Sequence, residues 1–100
     1  RFGPHNMNQL QYNPHVEKQG NLAYLTWFNA GLRVYDVSDK RQPREIGSFM
    51  APLPQKIYLP SYGNYVRMED VFVDTRGYIY VTGGAQQGLW ILRYTGAVKN

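Results

Sequence analysis

Asn21-Leu22-Ala23-Tyr24-Leu25-Thr26-Trp27-Phe28-Asn29-Ala30-Gly31-Leu32-Arg33-Val34-Tyr35-Asp36 is answered later in the chain by Tyr78-Ile79-Tyr80-Val81-Thr82-Gly83-Gly84-Ala85-Gln86-Gln87-Gly88-Leu89-Trp90-Ile91-Leu92-Arg93. Each stretch is a run rich in β-branched and aromatic residues, a small and polar turn containing Gly, and a second such run. Two adjacent antiparallel strands are written this way. Gly31 matches Gly88 at the same spacing at which Gly20 matches Gly77. Hairpins repeated at a fixed spacing predict stacked antiparallel sheets of about four strands each, a unit that rarely stands alone.

The chain has 100 residues, 43% of them hydrophobic and 15% aromatic, enough for the core of one small domain. As repeats, however, they make fewer than two complete units, and stacked units need about three before their inner faces outweigh the wet outer ones. The expectation is a part of a larger assembly. The opening Arg1-Phe2-Gly3-Pro4-His5 has no initiator Met and no charged-then-apolar leader, which fits a processed product or a fragment.

Charge and composition narrow the function. The net charge of +4 comes from 11 Lys and Arg against 7 Asp and Glu, spread from Arg1 to Lys99, with only Lys40, Arg41 and Arg44 close together. A nucleic-acid footprint groups such residues on one element among exposed aromatics, so nucleic acid is not an expected partner. Cysteine is absent, which excludes disulfides, thiolate metal sites and a cysteine nucleophile. No apolar run is long enough to span a membrane as a helix.

Helical periodicity is missing throughout, and the expected strands are Leu22 to Trp27, Leu32 to Val37, Arg44 to Phe49, Asp70 to Val73, Tyr78 to Thr82 and Leu89 to Tyr94. Val71-Phe72-Val73 and Leu89-Trp90-Ile91-Leu92 are apolar on both faces. Strands of that kind belong between two other layers, so Leu32, Val34, Val71, Val73, Leu89 and Ile91 are all expected to be buried. Gly31, Gly88, Asp36 and Asp39 are the expected turn formers. Residues 1–50 read as a first, incomplete blade and 65–100 as a second. Between them, residues 51–64 form a proline-rich segment too apolar for a free linker, expected to be an ordered loop on the body or on a partner.

Ala30-Gly31-Leu32-Arg33-Val34-Tyr35-Asp36-Val37-Ser38-Asp39, followed by Gln42-Pro43-Arg44-Glu45-Ile46-Gly47, resembles the LVIVD-repeat family of β-propellers. Blades of that family carry a Gly-Leu-hydrophobic strand, an Asp-Ile/Val-Ser-Asp/Asn turn, and then Pro, any residue, Glu, Ile/Val and Gly. Asp70 to Thr82 with Gly88-Leu89-Trp90-Ile91-Leu92 is similar to a further blade, although Leu92-Arg93-Tyr94-Thr95-Gly96 replaces the Asp-containing turn, as at a last blade or a chain end. The resemblance implies an all-β fold, a partial β-propeller of about two four-stranded antiparallel blades, completed by remaining blades from the same or a different chain. It also implies a secreted, periplasmic or cell-surface setting, and it supplies no reaction. Phe2-Gly3-Pro4-His5-Asn6 is similar to a segment that lies on the inner strand of a blade in bacterial members.

In a propeller the inner strands converge on a channel, and aligning the two copies puts His5-Asn6 in the place of Glu69-Asp70. Imidazole with carboxylates suits zinc, iron or manganese, and oxygens alone suit calcium, which makes His5, Glu69 and Asp70 candidate ligands for a divalent metal ion. The competing reading has these side chains bonding backbone groups or one another at the channel mouth. His15 follows a Pro turn and reads as a capped or exposed loop histidine, with a ligand or proton carrier as the alternative. Trp27, Phe28 and Tyr62, near loop ends, are candidates for stacking on a sugar or another small molecule. Ser38, Ser48 and Ser61 lack a nucleophile context, and Gly83 to Gly88 lacks the Lys-Ser/Thr of a phosphate loop. The expected function is therefore a non-catalytic interaction or scaffold module in a larger extracytoplasmic assembly. The alternative is a subunit of a metal-dependent enzyme with the metal near His5 and Glu69 or Asp70.

Overall fold

The computed structural model describes residues 3–8, 13–16, 20–53, 66–84 and 88–96. Strands β1 (Leu22–Thr26), β2 (Leu32–Asp36) and β3 (Arg44–Phe49) form one antiparallel sheet in that order. A second antiparallel sheet contains β4 (Met68–Val73), β5 (Tyr78–Gly83) and β6 (Gly88–Arg93), again in chain order. No helix occurs among the described residues, so the fold is all-β. Among the described residues each sheet has three strands where four were expected. In the first sheet the place of a fourth is taken by a short segment on the open edge of β1, where the amides of His5 and Asn8 donate to the carbonyls of Thr26 and Tyr24, and the Thr26 amide donates to the carbonyl of Asn6. Among the described residues of that segment, Met7 completes a ladder bridge, opposite Leu25.

Local chemistry sets the strand ends. The expected Trp27 end of the first strand moves back to Thr26, because Phe28 takes a positive φ of 45° and the Trp27 carbonyl accepts the Ala30 amide at 2.8 Å. Gly31 follows with φ 81°, where any side chain would meet the Phe49 carbonyl. Between β2 and β3, Asp36 Oδ1 accepts the Ser38 amide and Asp39 Oδ1 accepts the Arg41 amide, at 2.9 and 3.0 Å. Such Asx bonds replace the ladder where the chain reverses. The expected loop of residues 51–64 lies outside the described residues except for Ala51, Pro52 and Leu53.

Strand pairing corrects the alignment of the two copies. Tyr24 pairs with Val34 and Thr26 with Leu32, whereas Tyr80 pairs with Ile91 and Thr82 with Leu89. Tyr24 is thus the counterpart of Tyr80, and Leu32 and Val34 are the counterparts of Leu89 and Ile91; the second hairpin's connection is one residue longer. Met7, opposite Leu25, corresponds in turn to Val71, opposite Val81.

The core lies between the sheets. Leu22, Tyr24, Leu32 and Val34, from what we call the front of the first sheet, pack against Val71, Val73, Ile79 and Val81 on the back of the second. Phe49 meets Trp90 with ring centroids 5.6 Å apart, and the Tyr94 hydroxyl donates to the Ile46 carbonyl at 3.3 Å. At the inner end, Phe28 and Met68 exchange main-chain hydrogen bonds of 3.0 and 3.1 Å, which tie the two sheets directly.

Four of the six residues expected to be buried are so: Leu32, Val34, Val71 and Val73. Leu89 and Ile91 are not, at 57% and 60% exposed. Trp90 and Leu92 point into the core, and alternation along the strand sends Leu89 and Ile91 to the other side. Among the described residues, no further layer covers that side.

Candidate functional site

The chemistry-bearing side chains gather where the inner edges of the sheets meet. A β-bulge between Met68 and Asp70 leaves Glu69 without a ladder partner. Its carbonyl oxygen accepts two bonds from the first sheet instead, from His5 Nδ1 at 2.7 Å and from Thr26 Oγ1 at 2.7 Å. Thr26 is fully buried, and its hydroxyl also accepts the Asn6 amide at 3.2 Å. The Glu69 carboxylate turns away to the Arg67 guanidinium, 3.1 Å from Nε, and lies over Gly84, where no Cβ would fit. The His5 ring stands 4.6 Å from that of Phe28, whose centroid is 5.4 Å from the Arg67 guanidinium carbon.

A carbonyl can only accept, so His5 carries its proton on Nδ1 and, when neutral, presents the Nε2 lone pair. Nδ1–H bound to a main-chain oxygen is also how imidazole ligands are commonly oriented. The two expected carboxylate ligands are otherwise engaged. That of Glu69 is paired with Arg67, and Asp70 Oδ1 accepts the Val71 amide at 2.9 Å. Among the described residues, no group of three or more His, Cys, Asp or Glu side chains is placed to hold a metal ion. His5 and Glu69 are indeed brought together, but through the Glu69 backbone; Arg67 and Thr26, which complete the junction, carry no motif that sequence reading could have used.

The remaining candidates separate. Phe28 is buried against His5 and Arg67, so its faces are taken by the chain and are not a sugar platform. Tyr62 lies outside the described residues. His15 is exposed; its amide donates to Asn13 Oδ1 at 2.9 Å and its carbonyl accepts the Thr75 amide at 3.0 Å, a tether onto the β4–β5 turn. No helix among the described residues is long and apolar enough to cross a membrane.

That turn holds a heavily bonded acid. Asp74 accepts from the amides of Arg76 and Tyr78, from the Arg76 guanidinium at 2.8 Å and from the Tyr80 hydroxyl at 3.0 Å. Burial pushes its carboxyl pKa up, but these donors outweigh burial and bring it from 3.8 down to about 2. Because the folded chain favours the charged form, the contribution of Asp74 is complete above the ordinary carboxylate value and is lost as pH falls from about 4 through about 2. Asp74→Asn is expected to lower stability at neutral pH and to flatten the loss between pH 4 and 2 in denaturant titrations. An unchanged acid limb in the variant would show that other groups carry it; Asp36, whose carboxyl is also held below its usual range by Ser38, is the next to test.

A second feature is a groove on the back of the first sheet, about 300 Å³ in volume and lined by Met7, Ala23, Leu25, Tyr35, Val37 and Pro43. Its counterpart on the second sheet is the face built into the core. No protein-family model, no curated protein and no solved structure matches this chain, and the resemblance to LVIVD propellers rests on the residues quoted for it.

Proposed function

We propose that this chain is a non-catalytic interaction or scaffold module, a segment of stacked antiparallel sheets of the LVIVD-propeller kind that works within a larger assembly outside the cytoplasm. One observation carries the reading. Leu89 and Ile91 are exposed at positions whose counterparts, Leu32 and Val34, are 2% and 3% exposed in the core. Phe72 and Tyr80 extend the same face, their rings 5.8 Å apart. Apolar faces of this kind on a small chain favour association, since covering them returns roughly 25 cal/mol per Å² of apolar area. The extracytoplasmic setting comes from the resemblance alone. At the inner junction, the bonds of His5 and Thr26 to the Glu69 carbonyl lock the two sheets together, while the Arg67–Glu69 pair lies within one segment, at the start of β4.

Light scattering coupled to size exclusion tests the proposal on the purified chain. Concentration-dependent association in the micromolar range is expected. A folded, cooperatively unfolding monomer throughout that range would remove the reading.

A further inference from the structure

We propose that the exposed front of the second sheet docks on the apolar groove at the back of the first sheet of a second copy of this chain, head to tail. The inference rests on the scaffold reading and adds to it the partner, the two surfaces and their relative sense.

The internal interface supplies the pattern. It joins the front of one sheet to the back of the next, so its two sides are chemically different. Strand register then says what each open surface corresponds to. On the second sheet, Tyr80, Leu89 and Ile91 occupy the places that Tyr24, Leu32 and Val34 hold in the core. On the first sheet, Met7, Ala23, Leu25 and Tyr35 occupy the places of Val71, Ile79, Val81 and Leu92, which also lie in or against the core. Both surfaces carry apolar side chains at most of the positions the interface uses; the exception is Arg33, which stands in the place of Trp90 and pairs with Glu45. Met7 is 42% exposed whereas its counterpart Val71 is 6% exposed. A copy placed head to tail would repeat a packing this sequence already makes, each contact covering one front and one back. A front-to-front pair would join two like faces, a packing that the internal interface does not contain.

Inside one chain the two sheets are bonded at their inner ends through Phe28 and Met68 and touch at their outer strands through Phe49 with Trp90 and Tyr94 with Ile46, beside a cavity of about 160 Å³ lined by Leu32, Val34, Ile79 and Leu92 among others. A two-sided contact between copies continues as a ring where the rotation per step closes and as a helical filament where it does not.

Complementary variants test the inference. Leu89→Lys with Ile91→Lys blocks the front; Met7→Lys with Leu25→Lys blocks the back, and Met7→Lys alone serves if the pair disturbs folding. Circular dichroism and cooperative melting check the fold of each. Each variant alone is expected to need at least about tenfold more protein than the parent to associate, since charges placed in an apolar contact must be dehydrated. An equal mixture is expected to form a one-to-one dimer and nothing larger, because one intact front and one intact back remain. Both blocking charges are positive, so attraction between them cannot produce that dimer. If the back variant pairs with itself as the parent does, or if the mixture stays monomeric, the head-to-tail inference fails while an associating parent leaves the scaffold reading standing. A monomeric parent removes both.

Discussion

Gly31→Val is expected to destabilise the fold by about 3–5 kcal/mol, combining backbone strain with overpacking. Gly31 sits at φ 81°, a conformation that β-branched residues avoid most strongly. The new Cβ would also run into the Phe49 carbonyl and come within 2.6 Å of Met50 Sδ. The sulfur can swing away, but the carbonyl belongs to the β2–β3 ladder, where Phe49 pairs with Leu32. Gly88 provides the control. Its φ is 104°, yet nothing lies within 4 Å of where a Cβ would stand, so Gly88→Ala should cost only the strain, about 1–2 kcal/mol. Urea denaturation of the two variants reads the difference. Equal losses would mean that the close approach to Phe49 does not constrain the turn, and a change below about half a kcal/mol in Gly31→Val would remove the turn assignment itself.

Leu32→Ala is expected to cost about 2–5 kcal/mol, the usual range for emptying a buried leucine site. Leu89→Ala, at the corresponding place in the second hairpin, is expected to cost less than about 0.5 kcal/mol in the dissociated chain, as surface substitutions do. The two leucines follow glycines in matching turns and pair across to Thr26 and Thr82. They differ in what lies over them. Leu32 is covered by the second sheet, and Leu89 meets solvent. Denaturation at the lowest workable protein concentration isolates this difference from association, and raising the concentration should make the parent, but not Leu89→Ala, more stable if the face is used between copies. Equal costs at low concentration would show that the second sheet's front is covered within a single chain.

This pair of leucines also marks how far the sequence reaches. Runs of β-branched and aromatic residues broken by Gly, Asn and Asp determined an all-β chain of hairpins, with strand ends within one or two residues of those read directly, because period-two alternation and turn chemistry are local. The pairing of His5 with Glu69 could be approached from the repeat, since corresponding residues of stacked units lie side by side. Which atom of Glu69 would serve was decided by the bulge at that residue, and no local signal announces a bulge: it freed the carbonyl for His5 and Thr26 and left the carboxylate to Arg67. The same holds for burial. Leu89-Trp90-Ile91-Leu92 reads from the sequence as a strand with two apolar faces, but that Trp90 and Leu92 are covered while Leu89 and Ile91 meet solvent is set by the fold, because cover depends on a neighbouring sheet that residues far away in the chain must bring.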